Sequence, residues 1–255
     1  MTEWARQIRG GDLRRLARAL TAVENRTEEG AAILAELGAL AGHARIVGIT
    51  GPPGAGKSTL IDALARHLRG ESKSVAILAI DPSSRITGGA ILGDRIRMQQ
   101  HAGDAGVYIR SVATRGSYGG VAGATAELVR LLDGSGRDAV LVETVGVGQD
   151  ETEIAGVVPV TVVVLAPGMG DEVQTLKAGM MEIADVFAVT KSDLPGGDRV
   201  AAEVRGMLDL GTGDGRARPA VVQTAAREDR GIGELWEAIG KAWSCGGPRR
   251  ASTGD

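Results

Sequence analysis

The sequence predicts an α/β fold: a mostly parallel central sheet between two helical layers, entered through an N-terminal helical segment. Three observations predict it. From residue 46 onward, short Val- and Ile-rich runs alternate with helix-patterned stretches, as strands buried on both faces require. The first run ends in a glycine-rich nonapeptide, GPPGAGKST, from Gly51 to Thr59. Before residue 42 the apolar positions repeat at helical rather than strand spacing.

In the N-terminal segment, Trp4 and Ile8 share a face, as do Leu13, Leu16, Ala17 and Leu20, and then Ile33, Leu34 and Leu37. Asn25 and Thr27 with Gly30 signal a break between two helices. Strands are expected at Ile46–Thr50, Val75–Ile80, Val107–Ile109, Ala139–Glu143, Val160–Ala166, Val186–Thr190 and Ala220–Thr224. Helices are expected at Ser58–Arg69, Ala124–Leu132, Val173–Ile183, Val200–Leu210 and Gly233–Trp243. The domain organisation follows: a helical segment over 1–43, a nucleotide domain over 44–243 and a mobile tail over 244–255. In such a sheet, ligands bind at the carboxyl ends of the strands, where every motif below falls.

Composition narrows the function. The 255 residues are 43% hydrophobic but only 2% aromatic, so the core must rest on Val, Ile, Leu and Ala. The net charge of −3, without a large basic tract, speaks against a nucleic-acid footprint. Cys245 is the single cysteine, so no intrachain disulfide can form. The histidines, His43, His67 and His101, form no Cys/His cluster of the kind zinc or nickel sites use. The charged N-terminus is unlike a signal peptide, and the most apolar stretch, Val157–Pro167, is too short to cross a bilayer. A cytoplasmic protein is expected.

GPPGAGKST fits the Gly-x-x-x-x-Gly-Lys-Ser/Thr loop of P-loop NTPases, in its strand–loop–helix context. Backbone N–H groups of Gly54, Ala55, Gly56, Lys57 and Ser58 can wrap phosphate oxygens, and the two glycines permit the turns. The next helix points its N-terminus at the same anion. Lys57 is expected to reach the β and γ phosphates, Ser58 to ligate Mg²⁺ and Thr59 to bond near the α phosphate. Glu143, at the tip of its strand, is a candidate Mg²⁺ carboxylate. Gly146 can approach the γ phosphate and release it after hydrolysis. Asp81, in Asp81-Pro82-Ser83-Ser84, and Asp94, in the glycine-rich segment after it, are further candidate metal-side carboxylates. Among these, Lys57, Glu143 and Asp94 are the expected catalytic groups.

A base-selecting segment follows. Val186–Thr190 runs into Lys191-Ser192-Asp193. An Asp there accepts from the ring N–H and amino group of guanine, donors that adenine lacks, so one carboxylate can set base choice. The Lys191 stem can cover the base. Thr224 and Ala225 are placed beside it, with the Ala225 N–H expected to meet guanine O6.

Together GPPGAGKST, Asp81-Pro82-Ser83-Ser84, the GGAILGDRIRM segment, ETVGVGQ at Glu143–Gln149 and Lys191-Ser192-Asp193 resemble the MeaB/ArgK family of GTPases. The resemblance spans about residues 2 to 243 and is most specific after Asp81. It implies a GTP-hydrolysing chaperone. Such a protein gates adenosylcobalamin loading into an acyl-CoA mutase of the methylmalonyl-CoA mutase type, protects that mutase and works with Mg²⁺. Carried over by position, Lys57 and Ser58 serve phosphate and metal. Asp81, Asp94 and Glu143 serve the metal, and Lys191 and Asp193 serve guanine. Asp171, Gln174 and Lys177 lie in a segment that resembles a family loop responsive to the mutase, although their spacing equally suits an amphipathic helix surface.

Two departures stand out. Thr190 replaces the usual Asn, which puts a loop-bracing hydrogen bond in question. The usual helical arm that joins two subunits is not seen after Trp243, so a homodimer through it is not expected. No Gln immediately follows Gly146, and Gln149 is three positions further on. Slow hydrolysis alone and faster hydrolysis with a partner are expected. The alternatives are a nickel-insertion GTPase, disfavoured by the lack of soft or imidazole ligands, and a kinase for a transport-binding protein. A partition-type ATPase is disfavoured by Pro52 and Pro53, where an extra Lys would stand.

Overall fold

The computed structural model describes residues 1–82, 101, 103–114, 120–144, 150–169, 177–210 and 217–246. Three helices, α1 (Glu3–Arg9), α2 (Leu13–Glu24) and α3 (Glu28–Gly38), precede the sheet. There follow β1 (Arg45–Thr50), α4 (Lys57–Gly70), β2 (Val75–Pro82), β3 (Val107–Thr114), α5 (Gly120–Gly134), β4 (Ala139–Thr144) and α6 (Asp150–Val157). The chain continues through β5 (Val160–Leu165), α7 (Lys177–Ile183), β6 (Val186–Val189), α8 (Gly197–Leu210), β7 (Ala220–Gln223) and α9 (Ile232–Gly246). The seven strands form one sheet in the order β3-β2-β4-β1-β5-β6-β7. Pairing is parallel between β1 and β5, β2 and β3, β5 and β6, and β6 and β7.

All seven expected strands are present, six within two residues of their expected ends, whereas β3 runs five residues past Ile109 to Thr114. One helix, α6, is not anticipated by the periodicity. Its sequence DETEIAGV has no clear apolar stripe, and packing rather than pattern holds it. Gly48 faces it so closely that a Cβ there would lie 2.7 Å from Val158, just past the helix, and 3.3 Å from Ile154 within it.

The chain forms two compact units, one of Met1–Ile46 with Leu68–Val142 and one of Val47–His67 with Glu143–Asp255. In the first unit, α1 to α3 are capped by Thr2, Asp12 and Thr27, whose side chains accept from N–H groups of the first turn. Each cap contributes about 1 kcal/mol. Helix α2 buries Leu16, Ala19, Leu20 and Val23. Gly30 is no helix break: it lies in the first turn of α3, where a Cβ would come 2.4 Å from the Ala22 carbonyl. The break is made by Asn25, which caps α2, and Thr27, which opens α3. Helix α3 packs on α5. Asp133 of α5 then accepts from the Gly42, His43 and Ala44 N–H groups at 2.6, 3.1 and 2.8 Å. That bundle of bonds holds the chain as it enters β1.

The second unit has its own core. Val163, Leu165, Phe187 and Val189 from β5 and β6 pack with Met180 and Ala184 and with Val200, Ala201, Val204 and Leu208 of α8. Burying each Val, Leu or Phe contributes about 1.5–3 kcal/mol. Phe187 is the single phenylalanine of the chain. Residues 244–246 continue α9, and 247–255 lie outside the described residues. Among the described residues, no helix is long and apolar enough to cross a membrane.

Candidate nucleotide-binding site

Strand β1 delivers its buried end, Thr50, to the glycine loop, and α4 begins at Lys57. Gly51 takes φ +141°, and a Cβ there would lie 2.2 Å from the Val164 carbonyl. The loop can press onto β5 only because that residue is glycine. The loop then turns back through Gly54 and Gly56, both at positive φ, and presents its amides in front of α4. Lys57 is 7% exposed. Its Nζ donates to the Gly51 and Pro52 carbonyls at 2.6 and 3.0 Å, so the ammonium is folded back over the loop in which phosphates would sit.

Beside it, the Ser58 hydroxyl donates to Glu143 Oε1 at 2.8 Å. Glu143 is 5% exposed at the end of β4. The buried hydroxyls of Thr50 and Thr144 meet at 2.9 Å and tie the ends of β1 and β4 together. Ser58 and Glu143 are hard oxygen donors. Mg²⁺ prefers a few such protein oxygens supplemented by substrate phosphates and water, so the pair fits that ion. Among the described residues, no group of three or more His, Cys, Asp or Glu is placed to hold a metal.

Asp81 falls near the end of β2, paired in register with Ala113. Its side chain, together with Asp94, Gly146, Gln149, Asp171 and Gln174, lies outside the described residues. Lys177 opens α7, and its side chain is likewise not described.

The base-side residues converge on the loop. A cleft of about 290 Å³ is lined by Gly56 and Thr59 together with Lys191, Asp193, Ala226 and Arg227. Lys191 takes φ 52°, and its Nζ donates to the Gly54 carbonyl at 2.9 Å. Lys191 therefore lines the cleft with its ammonium held on the loop. Thr190 also braces the loop: its hydroxyl contacts the Ala55 carbonyl and lies 3.1 Å from the Leu165 carbonyl. The bond questioned by the loss of Asn is supplied by a threonine.

One expectation is corrected. The Ala225 N–H donates to the Arg230 carbonyl at 3.0 Å, in an isolated antiparallel bridge, and is not aimed at a base. Ala226 and Arg227 line the cleft instead, on a short 3₁₀ turn over Ala226–Glu228. Thr224 is fully buried and does not line the cleft. Its N–H donates to the Val189 carbonyl and its own carbonyl accepts from the Ser192 N–H, at 2.8 and 3.1 Å. It acts as a staple between the two base-side loops.

Sequence reasoning also missed Arg66. This α4 residue donates to Asp62, to Asp229 at 2.7 Å and to the Ala226 carbonyl at 3.3 Å. Burial alone would lower its pKa, but the Asp229 and Asp62 carboxylates outweigh that and raise it. The Asp62–Arg66 spacing of four was a readable signal. The approach of Asp229 was not.

Comparison with known proteins agrees with the fold. Residues 16–247 match the family model described as methylmalonyl-CoA mutase-associated GTPase MeaB. A GTPase-family protein of Pyrococcus abyssi is 51% identical over 240 residues, spanning 93% of this chain and 74% of that protein. GTPase ArgK of Escherichia coli is 39% identical over 248 residues, spanning 94% of this chain and 75% of its own length. The crystal structure of an LAO/AO transport system kinase superposes with a TM-score of 0.77 at 30% identity, covering 96% of this chain and 76% of that one. With residues 16–247 matched and relatives of 39–51% identity over more than nine-tenths of its length, the chain belongs to the MeaB family of GTPases.

Proposed function

We propose that this chain binds and hydrolyses GTP and uses the cycle to assist an adenosylcobalamin-dependent acyl-CoA mutase of the methylmalonyl-CoA mutase type. In this role it gates cofactor loading and protects the mutase. The observation that carries the nucleotide part is the cleft that Gly56 and Thr59 of the glycine loop share with Lys191 and Asp193. The mutase part is supported by the family to which the chain belongs.

In this reading the amides of residues 54–58 and the Lys57 ammonium bind the phosphate oxygens. Thr59 bonds near the α phosphate, and Gly146 meets the γ phosphate. Asp193 accepts from the guanine ring N–H and amino group, and Lys191 covers the ring. The Ala226 N–H, rather than that of Ala225, donates to O6. Ser58 and Glu143 would hold Mg²⁺, Asp81 and Asp94 are proposed as further metal-side carboxylates, and the ion would supply charge neutralisation at the β and γ phosphates. Phosphoryl transfer depends on positioning and charge more than on covalent chemistry. With no Gln directly after Gly146, hydrolysis by the chain alone is slow.

The test is single-turnover GTP hydrolysis, with and without a candidate mutase co-purified from the native host. Faster hydrolysis with the mutase is expected. Equal rates would remove the partner claim, and the absence of saturable GTP binding in calorimetry with Mg²⁺ would remove the nucleotide claim.

A further inference from the structure

We propose that Arg66 is a positioning residue for the base: it clamps the 225–230 loop to the phosphate-loop helix and so holds the Ala226 amide against O6 of guanine. The inference rests on the guanine-nucleotide reading above and deepens it.

Arg66 sits on α4, the helix that begins at the phosphate-binding lysine. Its guanidinium has partners on two separate segments. One nitrogen donates to Asp62 on its own helix. The other reaches the base-side loop, at Asp229 Oδ1 (2.7 Å) and the Ala226 carbonyl (3.3 Å). The Asp62 side chain is only 9% exposed, whereas that of Asp229 is 69% exposed. An exposed pair such as Arg66–Asp229 contributes little to stability by itself. The Asp62 contact is therefore the anchor, and the geometry imposed on the loop is the consequence that matters.

That geometry is specific to Ala226. The peptide that carries the Ala226 N–H also carries the Ala225 carbonyl, which accepts from the Glu228 and Arg230 N–H groups at 2.9 and 3.3 Å. The following peptide carries the Ala226 carbonyl, which Arg66 holds. The amide at the cleft is thus fixed from both sides, by its own loop and by Arg66. The loop has little slack elsewhere. Asp229 adopts a left-handed conformation at φ 52°, and a Cβ on Gly231 would lie 2.1 Å from the Gln223 carbonyl. A planar fork is needed to satisfy Asp62, Asp229 and a carbonyl together, which a lysine cannot do.

The experiment is calorimetry of GDP, 6-thio-GDP, IDP and ADP on the full chain. The variants are Arg66→Ala, Arg66→Lys and Asp229→Ala. The analogue 6-thio-GDP weakens only the acceptor at position 6, and IDP removes only the 2-amino group that Asp193 reads. Arg66→Ala is expected to lose about tenfold in GDP affinity, the cost of one misplaced hydrogen bond. Its preference for GDP over 6-thio-GDP should narrow while its preference for GDP over IDP stays as in the parent. Arg66→Lys should fall between. A uniform loss with both preferences intact marks a merely structural role and overturns the proposal, as does unchanged GDP affinity. Should Arg66→Ala fail to fold by circular dichroism, Asp229→Ala cuts only the exposed end of the clamp and carries the same comparison. If the parent protein itself does not prefer GDP to ADP, the guanine reading fails instead, independently of Arg66.

Discussion

Replacing Thr190 by Val deletes one hydroxyl and leaves the shape of the side chain almost unchanged. The residue is 3% exposed. Its Oγ1 sits between the carbonyls of Ala55 and Leu165, but one hydroxyl has one proton and donates to one of them at a time. Leu165 O already accepts from the Thr190 N–H at 2.8 Å. Ala55 O therefore depends on the side chain, and Ala55 has no exposed surface. Leaving such a buried acceptor unmatched costs about 1–3 kcal/mol. Ala55 is also in the middle of the phosphate loop, so the loss should be felt twice. The urea midpoint should fall by the equivalent of about 1–2 kcal/mol with an unchanged slope. GDP affinity should fall up to about tenfold, since 1.4 kcal/mol is a factor of ten. Thr190→Ser keeps the proton and loses only a methyl group, so it should bind GDP like the parent. A Thr190→Val protein with parental midpoint and parental GDP affinity would refute the brace.

Lys57→Ala should abolish measurable triphosphate binding in calorimetry while the far-ultraviolet circular dichroism stays native, because the ammonium held over the loop carbonyls is the cation proposed to meet the phosphates; retained micromolar GTP binding would contradict that role. Asp193→Asn exchanges an acceptor for a donor and should weaken GTP by at least tenfold while favouring a xanthine nucleotide; unchanged GTP affinity would show that the base is read elsewhere. Burial alone would raise the pKa of Asp138, but the Ser74 N–H and hydroxyl, at 2.6 and 2.7 Å, outweigh it and hold the carboxyl below its ordinary value. A lowered folded-state pKa gives stability that is present above the unfolded value of about 3.9 and lost as pH falls through the folded one. Asp138 is exposed, so solvent screening keeps the contribution under about 1 kcal/mol; Asp138→Asn should flatten the acid limb of a stability–pH curve, and an identical limb would discount the contact.

Much of this protein was legible in one dimension. Continuous Val-rich runs such as Val160–Leu165 can only be strands buried on both faces, and all six residues of β5 are buried. GPPGAGKST states its own conformation, because its glycines and Lys-Ser-Thr act within a few residues of one another. The Ser58–Glu143 pair was legible because each residue ends or begins an element whose position the pattern already gave. Other features depend on contacts that no local pattern encodes. Helix α6 lacks a clear apolar stripe, and its close approach to β1 needs a residue without a side chain at Gly48.

The choice of Ala226 over Ala225 belongs to that second class. Periodicity and motif spacing determined the sheet, the glycine loop and the candidate base-side carboxylate Asp193, since those signals are short-range and repeat along the chain. Tertiary structure alone decided that Ala226, and not Ala225, lines the cleft. A backbone N–H points where the turn sends it, and this turn is set by the Ala225–Arg230 bridge, by Gly231 pressed on Gln223 and by an arginine from a helix some 160 residues away in sequence.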